Sequence, residues 1–330
     1  MLLKKLSLIL GWFLAFICCL WAFGALYFDF PIASGGFAWA FVILTPAATW
    51  LLRRRCWPPL VPLAAAAIVL AWWSQLQPSH DRSWQTNVSR LPWAVIEGDR
   101  VTLHNVRNFD YPPDGEPVAR WETREFDLNE ITGMDIAINY WGSPWIAHPI
   151  MTFHFANTAP VAFSIETRKE EGESFSALGG FFRRFELIIL AGDERDFFRL
   201  RIGNDEDIFL YQTNFSPQRA RTRFVEYLTA INQLQRQPRW YHAITTNCTT
   251  AIRTLAASDR IPWDWRLLIN GLADQMLYEH GILTTGGLSF AELRQSALIN
   301  QAVREAHDDL EFSHRIREAH PGFTTPSDWN

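Results

Sequence analysis

Cysteine is scarce in this chain of 330 residues, which holds only four. Three of them, Cys18, Cys19 and Cys56, fall within or beside apolar segments near the N-terminus, so Cys248 stands alone in the remainder. A framework of disulfides is thereby excluded as the source of stability for the larger part of the molecule. An excess of basic charge is also missing: 30 Lys and Arg face 35 Asp and Glu, a net charge of -5, and nothing points to nucleic acid as a partner. No internal repeat and no low-complexity tract is found.

What is present begins with apolar runs. Leu6 to Phe28 is long enough to cross a bilayer as a helix and is preceded by Lys4 and Lys5. A signal peptide is disfavoured, because Phe28-Asp29-Phe30-Pro31 leads into a second run, Phe37 to Leu52, rather than to a small-residue cleavage site. Arg53-Arg54-Arg55 ends that run, and a third, Leu60 to Trp73, follows. The positive-inside rule puts both basic clusters in the cytoplasm, so about three crossings place everything beyond residue 75 outside. The second and third runs are short and carry prolines, which leaves a re-entrant pair open; it would give the same topology. Trp39, Trp50, Trp57, Trp72 and Trp73 lie near the proposed ends, where indole rings favour the interface.

The outer part reads as an α+β arrangement. Residues 76–135 suggest a small β-rich subdomain, with strands around Val95 and Val101. Strands are expected at Ile150–Phe155 and Val161–Arg168, joined by a hairpin turn over 156–160, and at Ile208–Gln212. Helices are expected over Phe175–Phe185, over Pro217–Gln233 with Ser216 as cap, from Cys248 to about Ala257, over Trp263–His280 and over Phe290–His314. Residues 136–285 form the expected main domain and 286–330 a helical extension ending in a polar tail.

A helix opening at Asn247 or Cys248 sets the sulfur beside unpaired backbone N–H groups and the positive end of the helix dipole, where negative charge is favoured. A lone cysteine is otherwise most often a buried structural residue. As a nucleophile it needs a base, and nine histidines compete. His148 enters the strand before the 156–160 turn. With a hairpin symmetric about Thr158, it lies opposite Arg168, and Glu166 faces Ile150 as a diagonal neighbour able to orient the ring. Ser164, Glu166 and Arg168 share one face of their strand, Val161, Phe163 and Ile165 the other. His154 shares the face of His148 and is an alternative base; His242 is near Cys248 in sequence. The acidic run Asp193-Glu194-Arg195-Asp196 fits a salt-bridged surface turn or a helix N-terminus better than a metal site. Phe181-Phe182-Arg183-Arg184-Phe185 fits a buried aromatic stripe better than a lipid-pressing surface.

Tyr111, the stretch Trp141-Gly142 to His148, Ser164-Ile165-Glu166-Thr167-Arg168, Gly180-Phe181-Phe182, Glu186-Leu187, Asp193 to Asp196, and Tyr241 with Asn247-Cys248-Thr249-Thr250 resemble, in that order, the Lnb N-terminal periplasmic domain family. The resemblance runs from about residue 80 to 285. It implies a circularly permuted papain-like fold of the NlpC type, with His148 as base and Cys248 as nucleophile, and no cofactor. It implies lipoprotein N-acylation at the bacterial inner membrane, with a phospholipid donor and a lipoprotein's terminal amine as acceptor. A hydrolase or amidase of the cell envelope with the same dyad, and a non-enzymatic membrane scaffold, are the alternatives.

Overall fold

The structure is a computed structural model and describes residues 2–30, 34–112, 115–255, 262–307, 309–318 and 323. The polar tail expected after Pro321 lies outside these residues except for Phe323, as does the stretch beyond Leu255 where the Cys248 helix was expected to end. Two compact units are formed. One comprises Met1–Asp81, Ser174–Glu186 and Arg239–Ala243; the other comprises Arg82–Glu173, Leu187–Pro238 and Ile244–Asn330.

The first unit is built on three apolar helices, α1 (Leu2–Asp29), α2 (Ser34–Leu52) and α3 (Leu60–Ser74). α1 and α2 are long and apolar enough to cross a membrane, whereas α3 has 15 residues and falls short of the roughly 20 that a perpendicular crossing takes. Their outer faces are greasy: Phe16 is 67% exposed, Ile43 67% and Ile68 72%. So wide an apolar surface is stable against lipid and costly against water. α1 and α3 run in the same direction, since Cys19 meets the Pro62 carbonyl and, further along, the Trp73 indole donates to Asp29 at 2.6 Å.

The segment Ser174–Glu186 caps this bundle. Sequence pattern predicts a helix here, but only a single turn, Gly179–Phe181, forms. The aromatic spacing that resembles a helical stripe serves another purpose: Phe182 stacks on Phe28 with ring centroids 5.2 Å apart. Arg183 donates to the Trp73 and Leu76 carbonyls, each at 2.7 Å, at the end of α3.

The second unit holds a mixed sheet of eight strands: β1 (Trp93–Glu97), β2 (Arg100–Arg107), β3 (Trp121–Asp127), β4 (Ile131–Tyr140), β5 (Ala147–Phe155), β6 (Val161–Arg168), β7 (Glu186–Gly192) and β8 (Asp207–Gln212). Glu186, at the start of β7, belongs to the first unit. The order is β1-β2-β7-β6-β5-β4-β8, with β3 beside β2. The strands of the expected β-rich subdomain are thus continuous with the main sheet, through the parallel pairing of Arg107 with Gly192.

Alternation along β5 gives the sheet two apolar faces. Phe153 faces one side and packs on Phe224 and Tyr227 of α5 (Pro217–Arg236), the helix capped by Ser216 as its sequence predicts. Ile150 faces the other, in a core with Phe197 and Phe198 of α4 (Glu194–Gly203) and Val303. The remaining helices are α6 (Cys248–Leu255), α7 (Ala273–Glu279), α8 (Phe290–Ala297), α9 (Asn300–Ala306) and α10 (Phe312–Arg315). The continuous helix expected over Phe290–His314 is broken into α8, α9 and α10, and that over Trp263–His280 reduces to two short turns before α7.

The acidic run at 193–196 opens α4, with Asp193 capping it, but it is not a surface turn. Glu194 and Asp196 are wholly buried. Asp196 takes both forks of Arg107 at 2.9 and 3.0 Å and the Tyr111 hydroxyl at 2.7 Å. Glu194 takes Arg317 in the same bidentate way, and Arg317 also donates to Asp135 at 2.8 Å. Arg317 thereby ties the C-terminal extension to α4 and β4. Arg317→Met leaves the buried Glu194 without its bidentate cation and Asp135 with His154 alone, and is expected to lower stability by about 3–5 kcal/mol. Urea denaturation of the detergent-solubilised protein, followed by tryptophan fluorescence, measures this; an unmoved midpoint would show the tie to be dispensable.

Candidate active site

The β5–β6 ladder runs from Phe153 and Val161 to Ile150 and Ser164, where it ends. Its next residue on β5 is Pro149, which has no N–H to contribute. The N-terminal end of α6 packs against both strands, and His148, Ser164, Glu166 and Cys248 come together there. The observed register differs by two residues from a hairpin symmetric about Thr158: Ser164, not Glu166, faces Ile150. Arg168, expected opposite His148, instead donates to the Val88 and Ser89 carbonyls and stacks on Trp84. A shift of two preserves the face of every side chain, so Glu166 still meets His148.

His148 is 6% exposed and hydrogen-bonds with Cys248, itself 5% exposed. Its Nε2 lies 2.6 Å from Ser164 Oγ and 3.3 Å from Glu166 Oε1. Ser164 donates its own proton to Glu166 Oε1 at 2.7 Å, so its lone pairs face the ring and Nε2 is the donor. Arg201 of α4 completes the arrangement, with Nη2 2.5 Å from Glu166 Oε1 and Nη1 3.4 Å from Glu206.

Burial disfavours charge on both partners, but their mutual attraction prevails. His148 is pushed up to about 9: burial works against its charge, and the Glu166 carboxylate and the hydrogen bonds to Cys248 and Glu166 outweigh that. Glu166 is held well below the usual carboxylate range, since the charges of His148 and Arg201 overcome its desolvation. A carboxylate so held orients the imidazole without taking its proton.

Asn247 caps α6, its Oδ1 accepting from the Thr250 N–H at 2.7 Å and lying 2.9 Å from Thr249 Oγ1. The cap fixes where the helix starts, and therefore that Cys248 is its first residue. The other two histidines are placed elsewhere. His154 bonds Asp135 at 2.8 Å, in the network of Arg317 and Glu194. His242 lies against the Phe181 ring, in the unit of the apolar helices. Three participants were not identified from sequence. Ser164 was placed on its face without a role, Arg201 sits in a helix between Leu200 and Ile202, and Asn270 reaches Cys248 Sγ with its Nδ2 at 3.0 Å. Asn270 precedes Gly271, a dipeptide that signals a turn and carries no catalytic signature.

An apolar pocket of about 80 Å³ adjoins α6, lined among others by Met134, Met151, Thr249, Ile252 and Met276. Three of the chain's four methionines meet there. Among the described residues no cluster has the composition of a metal site.

Residues 118–271 match the model of the Lnb N-terminal periplasmic domain. The chain carries a domain of that family. The matched span contains His148, Glu166 and Cys248 and is narrower than the resemblance read from sequence; Tyr111 lies outside it. With its long apolar helices, this makes the chain a membrane-anchored protein with a periplasmic domain. No match was found among curated proteins or among solved structures.

Because the pKa of His148 is raised in the folded state, its charge stabilises the fold fully below the ordinary 6.5, and this contribution is lost as pH rises through about 9. Glu166→Gln removes the main source of that elevation. The wild type is expected to lose thermal stability over this interval and the variant to lose less of it, and at lower pH. Melting curves of both proteins from about pH 6 to about pH 10 check this; superimposable pH profiles would show that Glu166 does not hold the charge on His148.

Proposed function

We propose that the protein is a cysteine acyltransferase of the bacterial inner membrane, anchored by about three crossings, with its catalytic domain in the periplasm. Cys248 forms a thioester with a fatty acyl group taken from a phospholipid and passes it to the α-amino group of a lipoprotein's lipidated N-terminal cysteine. The observation that carries this reading is the contact of Cys248, at the start of α6, with a buried His148 that is backed by Ser164 and Glu166.

The chemistry runs in two halves. The sulfur gives its proton to His148 and attacks the ester carbonyl carbon, and the carbonyl electron pair moves to oxygen. Collapse of this adduct breaks the bond to the lysophospholipid oxygen, which leaves with the proton from His148. In the second half the amine attacks the thioester, His148 takes a proton from nitrogen, and the thiolate is expelled as the amide forms. With Nε2 fixed on Ser164 and Glu166, the mobile proton belongs to Nδ1. The order of His before Cys along the chain fits the permuted papain-like reading.

Two features favour a lipid substrate over a cell-wall polymer. The pocket beside α6 is apolar, and its methionine side chains adapt to flexible hydrocarbon. The apolar helices also hold the enzyme in the bilayer that confines donor and acceptor.

Intact and peptide mass spectrometry of the membrane-extracted protein tests the proposal. A fatty acyl mass on Cys248 removable by neutral hydroxylamine is expected, absent from Cys248→Ser and formed roughly 10²–10⁴-fold more slowly in His148→Ala. Added lipopeptide with a free N-terminal amine is expected to clear that mass and appear as the amide. Release of free fatty acid alone would indicate hydrolysis, and a free thiol inert to alkylating reagents would indicate a structural cysteine.

A further inference from the structure

We propose that Asn270 is the oxyanion-stabilising residue of this site, donating its side-chain N–H to the carbonyl oxygen as Cys248 attacks. The inference rests on the acyl-transfer reading of Cys248 and assigns a part of the reaction that the Cys-His-Glu set does not supply. Sγ is met by two side-chain groups, the His148 ring and the Asn270 amide, whose Nδ2 lies 3.0 Å away. The oxygen that becomes negative is bonded to the carbon that sulfur attacks, so a donor already touching sulfur is within its reach. Cys248 is the first residue of α6, and its own N–H has no acceptor one turn back in the helix. The Asn270 amide thus supplies one donor at the reacting sulfur, and the N–H at the start of α6 offers a second to the same oxygen.

Asn270 is held before substrate arrives. Thr249, the residue after the nucleophile, places its hydroxyl 2.8 Å from Asn270 Oδ1, and the amide nitrogen lies on the side of the sulfur. The same hydroxyl lies 2.7 Å from the Leu267 carbonyl, the shortest of its contacts, and its one proton joins α6 to the 267–270 turn. On the other side, the Gly271 N–H donates to Trp145 O at 3.2 Å and the Tyr140 hydroxyl donates to Gly271 O at 3.2 Å. A Cβ on Gly271 would lie 2.1 Å from the Pro144 carbonyl, so the backbone beside Asn270 is pressed onto the loop that leads into His148. Nucleophile, base and amide donor are thereby fixed to one another, as electrostatic stabilisation without reorganisation demands.

Two reactions of the full-length protein in detergent separate this role from others. Acylation by a p-nitrophenyl fatty ester builds negative charge on oxygen, and its first turnover is read as a burst of nitrophenolate; alkylation by iodoacetamide uses the same sulfur and builds none. Asn270→Ala, which also removes the donor at Sγ, is expected to slow the burst by about 10²–10³-fold and to slow alkylation far less. Asn270→Leu, of nearly the same shape but without a donor, is expected to behave alike and carries the comparison should the alanine variant fold poorly. An undiminished burst, or equal losses in both reactions, would overturn the assignment and make Asn270 neutral or a support of the thiolate. A wild type that alkylates but shows no burst would overturn the transfer reading itself, and the oxyanion role with it.

Discussion

The site depends on one carboxylate that stays ionised in a place where burial works against it. Glu166 is shared by an imidazole, a serine hydroxyl and a guanidinium, and each of the three contacts is 3.3 Å or shorter. Without Arg201 this half-buried acid would stand against a single titrating partner. His148 and Arg201 together hold that carboxyl well below the usual carboxylate range, and its negative charge in turn raises His148. The reactivity ascribed to Cys248 is therefore set on α4 and β6 as much as on the nucleophile's own helix.

That carboxylate reaches the histidine because the sheet opens at the right point. β5 is buried along its whole length, yet its pairing with β6 stops at Ile150, next to a proline that cannot extend it. His148 is still paired with Asn139 of β4, and its side chain projects from the face of the sheet shared by Ser164 and Glu166. The interruption lets the end of α6 come up against both strands, and the sulfur meets a ring anchored in a rigid sheet. The buried ion pairs of Arg107 with Asp196 and of Arg317 with Glu194 and Asp135 serve the same end at a distance, since both hold α4, and hence Arg201, against the sheet.

Much of the site was legible in the residues. Period-two alternation assigned Ser164 and Glu166 to one face, and a register shifted by two does not alter that assignment, so the wrong turn centre still yielded the right partner. The Asn-Cys-Thr-Thr sequence announced a helix start, and the structure has one there. The 175–185 segment misled because aromatic spacing looks the same whether its rings line a helix or, as Phe182 does, pack on a different element. Asn270 and Arg201 gave no signal, for neither residue type nor spacing distinguishes them from ordinary surface polar residues.

The sequence by itself determined the elements and their polarity: apolar helices at the N-terminus, alternating strands, and a single downstream cysteine at a helix start. These are local properties, written in hydropathy, period and capping chemistry within a few residues of each other. Only the tertiary structure decided which histidine meets Cys248, that Glu194 and Asp196 are buried ion-pair partners rather than a surface turn, and that Asn270 touches the sulfur. Such choices are made between residues 22 to 182 positions apart, and they depend on where strands stop pairing and how helices cross the sheet, which no local pattern encodes.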